Sequence, residues 1–292
     1  MQAQMDYYDM GAEVVAFSST RHGGCSKGNY AEFNINRYCG DDETDIHQNR
    51  QALCQLLGIS DNRLLMPHQV HLTKTAIVDE ELLRHSEEER QQLLDGYDAL
   101  MTNLTGVCIG VSTADCIPVL LYDTEHHAVC AVHAGWRGTV ARIVEHAVSA
   151  MTATYGTHPS QLQAQIGPGI SLESFEVGSE VYEAFAQAGF EMKAISKKFP
   201  SNNNGGNHSS LLPSKWHIDL PECNRQQLMA TGVPAEAIRL SGVCTYRQSN
   251  RYFSARKLGI RSGRIFTGIM LMQVSSSEAT RHEAPSLSVI AR

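Results

Sequence analysis

A single domain of interleaved strands and helices is what this sequence predicts, and three observations carry the prediction. Strand-like apolar runs alternate with segments of helical period along most of the 292 residues. The composition, 42% hydrophobic and 19% charged, is that of a chain that buries a large core and not that of a disordered one. Neither an internal repeat nor a convincing linker divides the sequence, so residues 1–272 read as one catalytic domain and 273–292 as a tail of loop composition.

Taken in order, Glu13 to Ser19 reads as a strand that delivers the Gly-rich turn segment TRHGGCSKGNY. The stretch DDETDIHQNRQALCQLLGI opens with acids and continues with Ile46, Leu53, Leu56 and Leu57 at helical spacing, an amphipathic helix. Residues 64–78 read as strand material punctuated by Pro67, and 80–94 as a charged, solvated helix. Three apolar segments, DALMTN, VCIGVSTADCIPVLLYD and HAVCAVHAGW, each read as a buried strand at the centre of the fold. The last of them turns into a helix over VARIVEHAVSAMTATYG, ended by Gly156. Beyond it, AQIGPGIS reads as strand and turn, EVGSEVYEAFAQAG as a helix closed by Gly189, and PECNRQQLMATG as a helix opened by Pro221. The segment 197–215 reads as a long polar loop, of a length that suits a lid.

A net charge of −7, from 24 basic and 31 acidic side chains, offers no long-range attraction to a polyanion, so nucleic acid is excluded as the main partner. No stretch reaches the roughly 18 apolar residues of a membrane span, and the N-terminal MQAQMDYYDMGAEV lacks the pattern of an export signal. The expectation is a cytoplasmic protein whose eight scattered cysteines are free thiols.

Thiolate and imidazole are preferred zinc ligands, and a catalytic zinc takes three protein ligands with the fourth position left open. Cys116 in STADC and His133 in AVHAGW fit that role, each read at the end of a strand where a polar side chain emerges from the core. His71 in PHQVH is the third candidate; His68 is the alternative, since in an extended chain only one of the two faces the site. Separations of 45 and 17 residues are unlike the close pairs of zinc fingers and point to a catalytic site assembled from distinct elements. Asp115 is a candidate orienting group or general base. Guanidinium forks match phosphate oxygens, and Arg21, Arg137, Arg256 and Arg264 are the candidates. Aromatic and amide groups suited to a flat heterocycle are Phe33, Asn34, Asn36, Trp136 and Phe253.

The motifs TRHGGCSKGNYAEFNIN, QVH, DALMTN, TADCIPVLLYD, VHAGWRGT, IGPGIS and CTY…FSARKLGIRSGR follow one another in the order of the YfiH-like proteins, which this chain resembles from about residue 13 to 272. Those proteins carry an older label as laccase-domain polyphenol oxidoreductases and a newer one as purine nucleoside phosphorylases with adenosine deaminase activity. The resemblance implies an α+β fold, a layered αββα sandwich of mixed sheets. It implies one zinc ion on His71, Cys116 and His133, with adenosine, inosine, guanosine and methylthioadenosine as the substrates to test. Nucleoside and phosphate contacts are then expected from Asn36, Arg137 and Arg256. Cys25, Ala255 and Lys257 depart from the residues usual in the family at those places.

Three other readings compete. A multicopper oxidase needs strings of paired His ligands that this sequence lacks, so copper is not expected. A metal-free hydrolase of an amide, such as a cell-wall precursor, would use Cys116 as nucleophile and His133 as base. A non-catalytic zinc or nucleotide-binding protein would close the site with a fourth protein ligand such as His68.

Overall fold

The computed structural model describes residues 2–200 and 214–272. The tail from 273 and the centre of the 197–215 segment lie outside the described residues.

The chain begins with an antiparallel pair, β1 (Met5–Tyr8) and β2 (Val14–Ser19). Helix α1 (Glu43–Leu57) follows as expected: the Asp42 carboxylate accepts from the Thr44 and Asp45 amides, and Gly58, in the left-handed conformation at φ 68°, ends it. The 64–78 stretch is two short strands, β3 (Leu64–Leu65) and β4 (Thr75–Ile77), which join different sheets. The charged stretch after them is two helices, α2 (Glu80–Arg84) and α3 (Glu87–Leu93), because Ser86 starts the second with a reciprocal capping box to Glu89.

Four strands then form the centre: β5 (Ala99–Thr102), β6 (Cys108–Thr113), β7 (Ile117–Asp123) and β8 (Ala128–Ala134). The run VCIGVSTADCIPVLLYD is therefore two strands and not one, and the break at 114–116 carries the chain from one sheet to another. The helix expected over 140–155 is likewise two, α4 (Trp136–Val140) and α5 (Ile143–Tyr155). Arg142 is left-handed at the break, and its guanidinium lies 3.8 Å from the Phe190 ring and donates to the Ala188 carbonyl.

β9 (Leu162–Ile166), β10 (Glu176–Val177), α6 (Ser179–Gln187) and α7 (Met192–Ile195) come next. The described ends of the 197–215 segment are strand and not loop, in β11 (Ser196–Pro200) and β12 (Ser214–Ile218), which pair Lys198 with Trp216. Polar composition hid them, since an outlying sheet needs no apolar run. The chain closes with α8 (Leu220–Ala230), capped by Asp219, then β13 (Ile238–Leu240), α9 (Ala255–Leu258) and β14 (Ile265–Leu271).

The architecture is the expected α+β sandwich, with two mixed sheets face to face and helices outside both. One sheet has the order β1-β2-β14-β6-β3, the other β13-β9-β7-β8-β5-β4, and β10-β12-β11 form a small third sheet. Alternation along each strand divides the core. Val111, Ile109 and Ile269 of the first sheet meet Leu100, Leu120, Val129 and Ala131 of the second. The opposite face of the second sheet, Val119, Leu121, Cys130 and Val132, packs on Val144, Ala147 and Met151 of α5 and on Leu228 of α8. The opposite face of the first, Phe17, Cys108 and Phe266, packs on Leu53 and Cys54 of α1. Each fully buried Leu, Ile or Phe in these layers contributes about 2 kcal/mol of transfer free energy. Among the described residues, no helix is long and apolar enough to cross a membrane.

Candidate functional site

The site lies at one end of the layer between the two sheets, where β6 stops and the chain crosses to β7. Asp115 stands at this crossing in the left-handed region, φ 85°, where a non-glycine residue needs outside support. Its carboxylate supplies that support, accepting from the Thr245 hydroxyl and the Arg256 backbone amide at 2.7 Å each, while its carbonyl accepts from the Ile170 amide. The held turn presents the Cys116 thiol to solvent beside the end of β8. Cys116 is therefore in a crossover and not at a strand end as expected. Both oxygens of Asp115 are turned away to Thr245 and to the first turn of α9, which suits a positioning group and not a base facing the cleft.

His133, the penultimate residue of β8, shares the inter-sheet face of Val129 and Ala131 and is 3% exposed. Its Nδ1 is 2.8 Å from the carboxylate of Asp98, which is wholly buried at the start of β5. The same carboxylate accepts the backbone amides of His71 at 2.9 Å, Leu72 at 2.7 Å and Val70 at 3.3 Å. One buried acid thus orients His133 and fixes the loop carrying His71, whose φ of 65° only such a network keeps in place. His71 Nε2 lies 4.0 Å from Cys116 Sγ, and the two imidazoles meet edge to face with centroids 4.8 Å apart.

One donor atom from each of His71, Cys116 and His133 lies within 4.8 Å of the other two. Ligands of a tetrahedral zinc ion sit about 3.3–3.8 Å apart for bonds of about 2.0–2.3 Å, so a small closure of the three produces that geometry. Soft sulfur with two imidazoles, and a carboxylate behind one of them, is a donor set suited to zinc. Among the described residues no fourth His, Cys, Asp or Glu joins the group. His68 does not: its Nδ1 is 2.6 Å from Asp95, and its ring stacks on Tyr38 at 4.3 Å. The backbone at 68–71 is not a strand, so alternation was the wrong reason for choosing His71 over His68.

Gly135 makes room for the cluster. A Cβ there would stand 2.8 Å from His71 Cδ2 and 3.1 Å from Cys116 Sγ. Gly135→Ala is expected to leave the melting temperature within a few degrees of the native value and to weaken metal binding by at least about tenfold, as read by competition with a chromophoric chelator. Native affinity in that variant would show that the cluster tolerates displacement.

The charges are coupled. Burial alone pushes the Cys116 thiol up, but the His133 charge and hydrogen bonds from both histidines outweigh it and bring the thiol down to about 6. Burial depresses His133, and the facing thiolate together with Asp98 more than reverses this, to about 9. Burial also acts to raise Asp98, yet its bonds to His133 and the Leu72 and His71 amides hold it below the usual carboxylate range.

A cleft of about 500 Å³ opens over the three residues, lined also by Asn36, Tyr38, His68, Thr113 and Arg261. Its size suits a nucleoside-sized ligand. Asn36 is on its wall, although its amide is bonded to the Ser112 hydroxyl and the Tyr38 backbone amide. Arg256 lies outside the lining, its guanidinium on the Glu176 carbonyl at 3.2 Å. Arg137 lies outside it too, exposed and stacked over Trp136 at 4.2 Å. Phe33 and Phe253 are core, while the stacked pair Tyr38 and His68 supplies the aromatic surface of the cleft.

Asp98, Tyr38, Arg261 and Thr113 are cleft or support residues that escaped the sequence reading. Asp98 precedes an apolar strand, and a buried acid there is a weak signal. Thr113 lines the cleft on the same strand face as Val111, and its hydroxyl is buried without a protein partner.

The chain is similar to several known proteins. The chain is 46% identical over 260 residues to a purine nucleoside phosphorylase of Bacteroides thetaiotaomicron, covering 89% of this chain and 92% of that protein. It is 40% identical over 266 residues to adenosine deaminase RL5 of an unknown prokaryotic organism, covering 91% and 97%. The crystal structure of Bacillus licheniformis hypothetical protein YfiH superposes with a TM-score of 0.81 at 25% identity, covering 91% of this chain and 96% of that one. YlmD from Geobacillus stearothermophilus gives 0.77 at 30% identity, covering 90% and 93%. Residues 15–272 match the family described as multi-copper polyphenol oxidoreductase laccase, and this chain is a YfiH-like member of it.

Proposed function

We propose that the protein is a zinc-dependent purine nucleoside phosphorylase that also deaminates adenosine. The observation that carries the reading is the three-ligand cluster His71, Cys116 and His133 at the floor of an open cleft, in a chain whose near relatives bear those two names. In phosphorolysis a phosphate oxygen bonds to C1′ of the ribose as the C1′–N9 bond breaks; the electron pair and a proton go to the base, giving free purine and ribose 1-phosphate. In deamination water adds at C6 of adenosine and ammonia leaves.

A zinc ion bound here supplies Lewis acidity and lowers the pKa of water beside it. The chain's own residues do the rest. Asp98 keeps a proton on His133 Nδ1, leaving Nε2 as the donor. Asp115 positions Cys116 and ties it to the start of α9 at Arg256. Tyr38 and His68 offer a stacking surface to the purine, and Asn36 and Thr113 line the cleft beside it.

Adenosine and inosine are the first substrates, with guanosine and methylthioadenosine as further candidates. The site of action in this reading is the cytoplasm, supported by eight cysteines that are all unpaired. Zinc is favoured over copper because the described residues hold one three-ligand group, and a multicopper centre needs several.

Purified, metal-quantified protein is incubated with adenosine and inosine, with and without phosphate, beside His71→Ala. Phosphate-dependent base release and ammonia from adenosine, both lost in the variant, are expected. Silence from zinc-loaded wild type in every condition defeats the reading. The rival cysteine hydrolase is favoured by one observation, the line Cys116–His133–Asp98, which is also a nucleophile, base and orienting acid. Amide hydrolysis that survives removal of metal by a chelator would favour it instead.

A further inference from the structure

We propose that Arg261 is the residue that binds phosphate in the cleft; this rests on the phosphorylase reading above. Phosphate is small and strongly hydrated, and a protein of net charge −7 holds it only with a local cation. The arginines around the cleft are committed elsewhere, with one exception. Arg21 donates to the Ala31 and Ser249 carbonyls at 2.8 Å each. Arg256 is on Glu176 and Arg37 is paired with Glu87, while Arg137, stacked on Trp136, lies outside the cleft lining.

Arg264 lines the cleft but serves the loop before it. Its guanidinium donates to the carbonyls of Ile260 at 2.8 Å, Ser262 at 2.6 Å and Gly263 at 3.0 Å. Ser262, wholly buried, bonds the Gly259 carbonyl, and the Gly263 amide donates to the Asn29 carbonyl. The loop is therefore fixed from within, and it presents Arg261 at the cleft wall, exposed. Among the described residues no carbonyl or carboxylate accepts from the Arg261 guanidinium. On capturing a phosphate the rigid loop leaves only the Arg261 side chain to be ordered, and its fork makes two charge-assisted hydrogen bonds.

The test compares zinc-loaded wild type with Arg261→Gln and Arg261→Lys. The Gln variant is expected to raise KM for phosphate by about tenfold or more, with KM for inosine changed less than about threefold. The ratio of phosphorolysis to deamination at low phosphate then falls about tenfold, and the Lys variant, charged but without a fork, lies between. A phosphate KM within twofold of wild type in the Gln variant would overturn the assignment, as would equal losses in phosphate KM, inosine KM and deamination. Calorimetric titration with inorganic phosphate alone separates this failure from failure of the phosphorylase reading. Heat in wild type that is lost in Arg261→Gln supports Arg261 even if no nucleoside is turned over; equal heats, or none in wild type, count against it.

Discussion

Cys116→Ser is expected to hold less than a tenth of the zinc that the wild type holds, and to lose at least about three orders of magnitude in both phosphorolysis and deamination. Serine keeps the size and the turn, but its hydroxyl does not ionise near neutrality and is a hard, weak ligand for zinc. The residue stands in a crossover held by Asp115, Thr245 and Arg256 and not in the packed layers, so circular dichroism of the two metal-free proteins should agree, while the serine variant, without the thiolate that faces His133, should melt somewhat lower near neutral pH. Wild type stripped with a chelator should recover activity when zinc is returned; the serine variant should not. Full zinc content in the variant would mean that the cluster is not the metal site.

The same thiol gives a second, metal-free readout. Cys108, Cys130 and Cys223 are driven upward by burial and Cys54 up to about 11, whereas Cys116, brought down to about 6, is a thiolate at neutral pH. In stripped wild type, iodoacetamide at pH 7 should label Cys116 before any of these four, and labelling should slow as the pH falls through 6. Its ionisation also links to stability. The folded state sheds this proton more easily than the unfolded chain, so the contribution grows as pH rises above 6. The His133 contribution is complete below about 6.5 and is lost as pH rises through about 9, so the metal-free protein is best held by the pair between these limits.

The three residues of the cluster were legible because each sits in a compact motif, QVH, ADC or HAGW, whose residue types suit a metal. The layered sandwich was legible through the same motifs, and α1 through its own period and caps. What hid was whatever depends on partners far along the chain. VCIGVSTADCIPVLLYD looks like one buried strand because both β6 and β7 are apolar on every face, so no change of period marks the crossing between sheets. The sequence could not rank the arginines for a related reason. Arg21, Arg256 and Arg264 look alike in sequence, and only the folded chain shows which carbonyls have claimed them. Asp98 reads as an ordinary acid before a strand; its four partners lie 26–35 residues away on either side.

Asp98 is also where a nearly isosteric change should be most damaging away from the ligands themselves. Both carboxylate oxygens accept hydrogen bonds: one takes the His71 amide and His133 Nδ1, the other the Leu72 and Val70 amides. An asparagine has one oxygen, so in either orientation its NH₂ faces N–H donors inside a fully buried pocket. If the oxygen stays on His133, the His71 loop loosens; if it turns to Leu72, His133 loses the acceptor that keeps its proton on Nδ1. Zinc affinity in Asp98→Asn should therefore fall by about 10–100-fold, with phosphorolysis and deamination falling together at limiting zinc. The unfolding free energy should drop by about 3 kcal/mol, since a buried charge network loses one member. Removing the acid also weakens the His133 imidazolium, so iodoacetamide labelling of Cys116 in stripped protein should need a higher pH than in wild type. This last readout separates the two roles open to Asp98: a merely structural acid would lower stability and leave the labelling profile of the surviving folded protein where it was, whereas an acid acting through His133 must move it.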